Sequence, residues 1–344
     1  MSVKFVPVQW TANKWVYDAV LLACVAGYIL VFIRVGTPLA DTTRPVDGAI
    51  VRMRAYGSCA FFMLTFILCI GPLARLDQRF LPLLYNRRHF GVLTAVVAAV
   101  HAFYVLGWYY AFSPTDAYEA LLTANTSFDR LIGFPFEMLG LLALSILAIL
   151  AATSHDFWLA FLTAPVWKRL HLLIYVAYAA AVAHVALGAL QDTTNPAFGA
   201  LVVGGALLVV GLHLVARGGG QAARGTEIFV ADVDAFVDGR AIVVPIGGDE
   251  RAAVFRNGAA LSAVSNACAH QNGPLGEGRI IDGCITCPWH GFQYRPEDGR
   301  SPAPFTERIP TYNLRLDGAR VLLDTRANPP GTAVAPLPLP DGRP

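Results

Sequence analysis

Six apolar runs, roughly 15–34, 56–74, 90–112, 131–152, 170–190 and 197–216, dominate the first two thirds of this 344-residue chain. Each is close to the ~20 residues that a helix needs to cross the hydrocarbon core of a bilayer. The first is too long, and has the wrong flanks, for a cleaved signal peptide. Only 15% of the residues are charged, a low share for a soluble protein. These features predict a membrane-embedded, all-α six-helix bundle over residues 1–216.

Orientation follows from the basic residues of the loops. With the N-terminus in the cytoplasm, the inner side collects Lys4, Lys14, Arg75, Arg79, Arg87, Arg88, Lys168, Arg169, Arg217 and Arg224. The outer side collects Arg34, Arg44, Arg52, Arg54 and Arg130, four of them in the first loop. The bias places both ends of the bundle inside and predicts a multi-pass protein of the cell (inner) membrane, in contact with lipid.

Beyond the last run the pattern changes. Residues 217–225 are glycine-rich and read as a flexible tether. Short β-like runs follow at Ile228–Val230, Ala241–Pro245, Ala252–Phe255, Ala263–Val264, Ile280–Ile281 and Val321–Leu323, separated by Gly- and Asp-rich turns. They predict a small all-β domain over 226–326 on the cytoplasmic side. Residues 327–344 are Pro-rich and read as a disordered tail. No internal repeat is evident. The charge is split: residues 1–225 carry 15 Lys and Arg against 10 Asp and Glu, and the remainder 11 against 14. No basic tract suggests a nucleic-acid partner. Cys24, Cys59 and Cys69 lie in apolar runs as packing residues, so no disulfide framework is expected.

Coordinating residues inside spans are costly and are usually functional. His101 lies in the third span, His171 and His184 in the fifth and His213 in the sixth, and His89 stands at the inner start of the third. His171 and His184 are 13 residues apart, about 20 Å along a helix. That is the separation of two haems stacked across a bilayer. Spans three and five run in the same direction, so His101 and His184 share one outer depth. They are candidate axial ligands of one b-type haem held in the bundle core. The alternative is that each histidine only hydrogen-bonds a neighbouring helix. At the inner level His171 has two candidate partners, His89 and His213, so a second haem remains open.

The β region carries two further clusters, Cys268-Ala269-His270 and Cys287-Pro288-Trp289-His290, with 16 residues between His270 and Cys287. Zinc also takes two Cys and two His, but a finger has Cys-x2–4-Cys followed by His-x3–5-His, whereas here Cys and His alternate. The two boxes, with Gln271-Asn272-Gly273-Pro274-Leu275 after the first and Gly291-Phe292-Gln293-Tyr294 after the second, resemble the Rieske [2Fe–2S] signature. In it two Cys hold one iron and two His the other. The resemblance makes Cys268, His270, Cys287 and His290 the cluster ligands and Cys284 a buried spectator. Respiratory Rieske proteins add one Cys to each box and a Ser after His-Gly. Here those positions are Gly273, Trp289 and Phe292. Fewer donors to the cluster imply a potential toward the lower part of the range, about −150 to +100 mV, as in Rieske ferredoxins.

A second resemblance rests on Arg87-Arg88-His89-Phe90-Gly91, ten residues before His101, and on Trp167-Lys168-Arg169-Leu170-His171-Leu172-Leu173-Ile174-Tyr175, followed by His184. These segments resemble the ferric-reductase-like transmembrane family, most of all the haem-binding membrane subunit of the periplasmic methionine sulfoxide reductase system. The resemblance implies haem b on the third and fifth spans, and transmembrane electron transfer. Arg87, Arg88, Lys168 and Arg169 are then candidates for pairing with haem propionates. Ferric reductases continue into a flavin and nicotinamide domain, but this chain shows no Gly-x-Gly-x-x-Gly fingerprint after a strand.

Together these readings predict an oxidoreductase-type electron carrier. A cytosolic NAD(P)H-dependent reductase or ferredoxin would reduce the cluster, and haem would pass electrons outward to a periplasmic redox partner or a quinone. A quinol-linked oxidoreductase and a non-catalytic redox or iron sensor are the alternatives. A Rieske oxygenase needs a further iron held by two His and a carboxylate, and no His follows His290.

Overall fold

In a bilayer core every backbone N–H and C=O must be satisfied within the protein, so long apolar runs fold as helices. The computed structural model describes residues 12–39, 47–155, 158, 162, 164–191, 196–219, 226–247, 250–270, 272–289 and 291–340. It divides into a helical unit over 12–214 and a second unit from Val215 onward.

The helical unit contains α1 (Ala12–Leu39), α2 (Gly48–Leu76), α3 (Leu81–Phe112), the short α4 (Ala117–Thr123), α5 (Phe136–Ala152), α6 (Ala164–His171), α7 (Leu173–Leu187) and α8 (Pro196–Gly219). Five helical segments among the described residues are long and apolar enough to cross a membrane: 14–35, 48–76, 86–111, 166–187 and 196–217. The expected count of six spans is therefore not met. The run over 131–152 forms a helix of only 17 residues, Phe136–Ala152. At about 1.5 Å per residue it spans about 25 Å, short of a ~30 Å hydrocarbon core. Its first turn is lost because Gly133 takes a left-handed φ of 80° and Pro135 follows. The predicted tether is also shorter than read, since α8 continues through Gly219; residues 220–225 lie outside the described set.

One core joins α2, α3, α5, α7 and α8 through Phe61, Leu64, Leu68, Ala95, Ile146, Leu147, Leu150, Ala177, Tyr178 and Val209. A second packs α1 onto α2 and α3. The buried Thr65 hydroxyl is paired, as hydrocarbon requires: it donates to the Phe61 carbonyl and lies 3.1 Å from the Tyr178 hydroxyl. Outward-facing residues such as Leu30, Val31, Val203, Leu207 and Leu214 are exposed, in keeping with a lipid-facing surface.

The second unit is all-β. Strands β1 (Glu227–Asp232), β10 (Arg320–Asp324) and β9 (Leu314–Asp317) form one antiparallel sheet. A second runs β11 (Leu337–Pro338), β4 (Ala260–Ser265), β3 (Glu250–Asn257), β2 (Ala241–Gly247), with β8 (Thr311–Tyr312) also on β4. A third consists of β5 (Arg279–Ile281), β6 (Cys284–Thr286) and β7 (Gln293–Tyr294). All six predicted strands are present.

The tail departs from the expectation of disorder. Residues 327–340 follow the domain surface, with Asn328 N–H donating to Thr311 O, Gly331 N–H to Ile309 O and Leu339 N–H to Ala259 O. Prolines lack only their own N–H, so a Pro-rich chain still pairs as an edge strand, and Leu337 lies opposite Leu261.

Candidate metal centres

The β unit builds its site from two loops of matching geometry. The first leaves β4 and the second leaves β6. Cys268 N–H donates to Gly273 O and Asn272 N–H returns to Cys268 O; Cys287 N–H donates to Phe292 O and Gly291 N–H returns to Cys287 O. Each turn closes on a left-handed residue, Asn272 at φ 58° and Gly291 at φ 69°. Both thiols are buried, each 1% exposed. Gly273 lets the loops meet, since a Cβ there would stand 2.6 Å from Cys287 Sγ and 3.2 Å from Trp289 Cδ2. The His270 ring lies parallel to Phe292 at 5.0 Å, and Phe292 in turn meets the exposed Phe305 edge-on at 4.9 Å. His290 lies outside the described residues.

Tyr294 supplies the polar contact at the base. Its hydroxyl stands 3.3 Å from Cys268 Sγ and accepts the Ala269 N–H at 2.9 Å. Burial, then the neighbouring Cys268, push its pKa far above the ordinary tyrosine value, so the O–H persists and can donate to a thiolate. Among the described residues no three His, Cys, Asp or Glu converge on one point. A two-iron cluster does not require it, because each iron takes only two protein ligands. The buried thiols, their hydroxyl donor and the glycine gap fit such a group. Tyr294→Phe is expected to remove one donor that strengthens as the cluster gains an electron. The potential should fall by roughly 40 mV, the equivalent of about 1 kcal/mol for one electron, as read by EPR-monitored titration. Cys284 is half-buried rather than buried. Burial raises its pKa, which favours the thiol form.

In the helical unit the structure brings His101 of α3 and His184 of α7 together, with ring centroids 6.3 Å apart and planes at 78°. His101 Nδ1 lies 2.8 Å from Met53 O, and His184 Nδ1 lies 2.8 Å from Phe136 O. A carbonyl only accepts, so each Nδ1 carries the proton and each Nε2 keeps its lone pair. Two metal–nitrogen bonds of about 2 Å and two ring radii of about 1 Å sum to about 6 Å, so the spacing suits one metal between two imidazoles. Beside this pair the buried Glu137 accepts from Tyr109 Oη and Asn125 Nδ2.

The inner histidines are dispersed. His171, at the end of α6, stacks on Trp167 at 3.8 Å, and its Nε2 lies 3.3 Å from Thr153 Oγ1. Neither expected partner meets it: His89 Nδ1 is 2.8 Å from Asp18 Oδ2 on α1, and His213 Nε2 accepts from Tyr175 Oη at 2.9 Å. Arg87 and Arg88 lie within electrostatic reach of His171, and the Arg88 guanidinium covers the Trp167 ring at 5.4 Å. Lys168 and Arg169 are exposed on the last turn of α6. His171→Ala is therefore expected to leave the spectrum of a His101–His184 haem in place, as read by the reduced-minus-oxidised optical difference.

Sequence reasoning missed Met53, Gly57, Phe136 and Gly140, which carry one signal: the same spacing to a histidine occurs twice.

Cysteine–histidine loops on a small β fold, carried by a chain with several membrane-capable helices, define a membrane-bound iron–sulfur electron-transfer protein. Residues 226–313 match the Rieske [2Fe-2S] domain and residues 56–182 the ferric reductase like transmembrane component. The chain belongs to the Rieske family through the first segment, fused to a ferric-reductase-like membrane domain. It is 35% identical over 77 residues to the anthranilate 1,2-dioxygenase ferredoxin subunit of Burkholderia cepacia, covering 22% of this chain and 71% of that one. It is 32% identical over 101 residues to the alkene monooxygenase system ferredoxin component of Xanthobacter autotrophicus, covering 29% and 82%. Among solved structures, the ferredoxin of carbazole 1,9a-dioxygenase from Nocardioides aromaticivorans aligns at 25% identity and TM-score 0.27, over 28% of this chain and 96% of that one.

Proposed function

We propose that this protein is a one-chain electron conduit across the cell membrane. Cys268, Cys287, His270 and His290 hold a [2Fe–2S] cluster on the cytoplasmic side, and His101 and His184 hold a haem b toward the outer side. When bound, these groups supply one-electron carriers; the protein supplies their positions and surroundings. The facing pair of imidazoles, each with Nδ1 capped by a helix carbonyl, is the observation that carries the reading.

Tyr294 holds a proton beside Cys268 and favours the reduced state of the site. Phe292 fixes the plane of His270, and with Phe305 makes an aromatic contact from that ligand to the surface, where a donor docks. The donor is a cytosolic NAD(P)H-dependent reductase or ferredoxin, and the acceptor a periplasmic redox protein. One observation supports a carrier over an oxygenase: the relatives named as ferredoxin components are matched over 71% and 82% of their own length, whereas the cholesterol 7-desaturases are matched over only 10% and 14% of theirs. The bias of basic residues supports an inner N-terminus; the β unit lies on the same side when the 17-residue α5 completes a sixth crossing.

Purified protein in sealed vesicles, with an impermeant acceptor inside and a reductant outside, tests this reading. In vesicles sorted for an outward-facing β domain, acceptor reduction should follow the reductant and stop in a cluster-less variant. Equal rates with and without the cluster contradict it.

A quinol-linked reading has one observation in its favour. The Tyr175–His213 hydrogen bond lies on an exposed, lipid-facing part of α7 and α8, where a polar pair is costly unless used.

A further inference from the structure

We infer that Gly57 and Gly140 are positioning residues that set the planes of the two facing imidazoles, and that they belong to one helix-pair module used twice. The inference rests on the reading of His101 and His184 as haem ligands. In the first module Met53 O accepts the Nδ1–H of His101, 48 residues on. In the second Phe136 O accepts that of His184, again 48 residues on. Four residues after each acceptor stands a glycine. A Cβ on Gly57 would meet His101 Nδ1 at 2.8 Å and Cε1 at 2.9 Å; one on Gly140 would meet His184 Nδ1 and Cε1 at 2.8 Å.

The coincidence extends beyond these atoms. Moving α2 and α3 forward by the 83 residues that separate His101 from His184 places them on α5 and α7. Ala60, Met63 and Leu64 then fall on Ala143, Ile146 and Leu147; Thr94, Ala95 and Val97 fall on Ala177, Tyr178 and Ala180. All twelve are buried.

The reason for glycine is geometric. In an α-helix the carbonyl of residue i points along the axis to the N–H of residue i+4. A side chain from a neighbouring helix that reaches this carbonyl from the flank crosses the space beside residue i+4. Any Cβ there displaces it. Glycine at i+4 opens the path, and the carbonyl then fixes both tautomer and rotation of the ring. Two modules acting from different helices hold the planes at 78°. Near-perpendicular imidazoles on one low-spin ferric iron give an EPR signal with a single dominant, large g value, whereas parallel rings give a rhombic signal.

The test uses full-length protein purified in detergent. Gly57→Ala and Gly140→Ala are compared with Gly91→Ala and Gly107→Ala, helical glycines of α3 at which an added Cβ would have nothing within 4 Å. Alanine ordinarily favours a helix, so the controls should keep the wild-type haem signal. Each of the first two should move the largest g value toward the rhombic pattern, or convert the haem to high spin, while the Rieske EPR signal stays unchanged. An unchanged haem g value and potential in Gly57→Ala and Gly140→Ala overturns the inference, although haem is present. A wild-type protein with no haem overturns the underlying reading instead. If Gly57→Ala fails to accumulate, it is placed in a His101→Ala background, where no ring remains to collide. Recovery there supports the collision, and failure in both backgrounds contradicts it.

Discussion

Replacing His184 with alanine is expected to abolish the reduced haem band of the purified protein while leaving the Rieske EPR signal at full intensity. The two effects separate because the histidine sits in the helical unit, which has its own core, and the cluster loops sit in the β unit, which has another. Losing a group that merely orients a metal ligand costs about 10–100-fold in affinity; losing the ligand itself costs at least as much. His101→Ala should behave in the same way, since the two rings are held by equivalent carbonyl bonds. Electron delivery from a cytosolic reductant to the outer face should fall to background in both variants. Haem retained in full in both would remove these residues from the ligand set. Optical spectra and EPR on one sample read both centres together.

Cys287→Ala is the complementary case. Its Sγ lies buried under Gly273, and its backbone closes the second loop through Phe292 and Gly291. The variant should lose the cluster signal entirely and keep the haem band. Dithionite should still reduce the haem, whereas reductase-driven haem reduction should drop by at least about 100-fold, the scale set by losing a ligand rather than a supporting contact. Haem reduction at the wild-type rate by the reductase would mean that electrons bypass the β unit.

The sequence carried the large-scale organisation because its signals are collective. Twenty apolar residues in a row admit few alternatives, and the six predicted strands were bounded by glycine and aspartate turns. The failures are local. Hydropathy over 131–152 predicts a full span because it averages over Gly133 and Pro135, whose backbone preferences delay the helix to Phe136. The prolines of the tail predict disorder, yet Leu337 and Leu339 extend the hydrophobic core of the β unit.

The site shows the same division. Histidines at one depth on two spans identify each other through the helix rise alone, so His101 and His184 were legible. The inner level was not, because depth says nothing about rotation. His89 faces Asp18 and His213 faces Tyr175, both settled by packing. The carbonyls of Met53 and Phe136 were invisible for a different reason: backbone acceptors leave no residue type to read. Only the glycines four positions on, repeated at one spacing to a histidine, record them.

The most direct test of the account is a potentiometric titration of the purified protein, with EPR following the cluster and optical absorption following the haem. The account predicts a Rieske signal that titrates below the haem, so that electrons run from the cytoplasmic cluster to the membrane centre. A cluster titrating well above the haem would contradict outward flow and favour the quinol-linked reading.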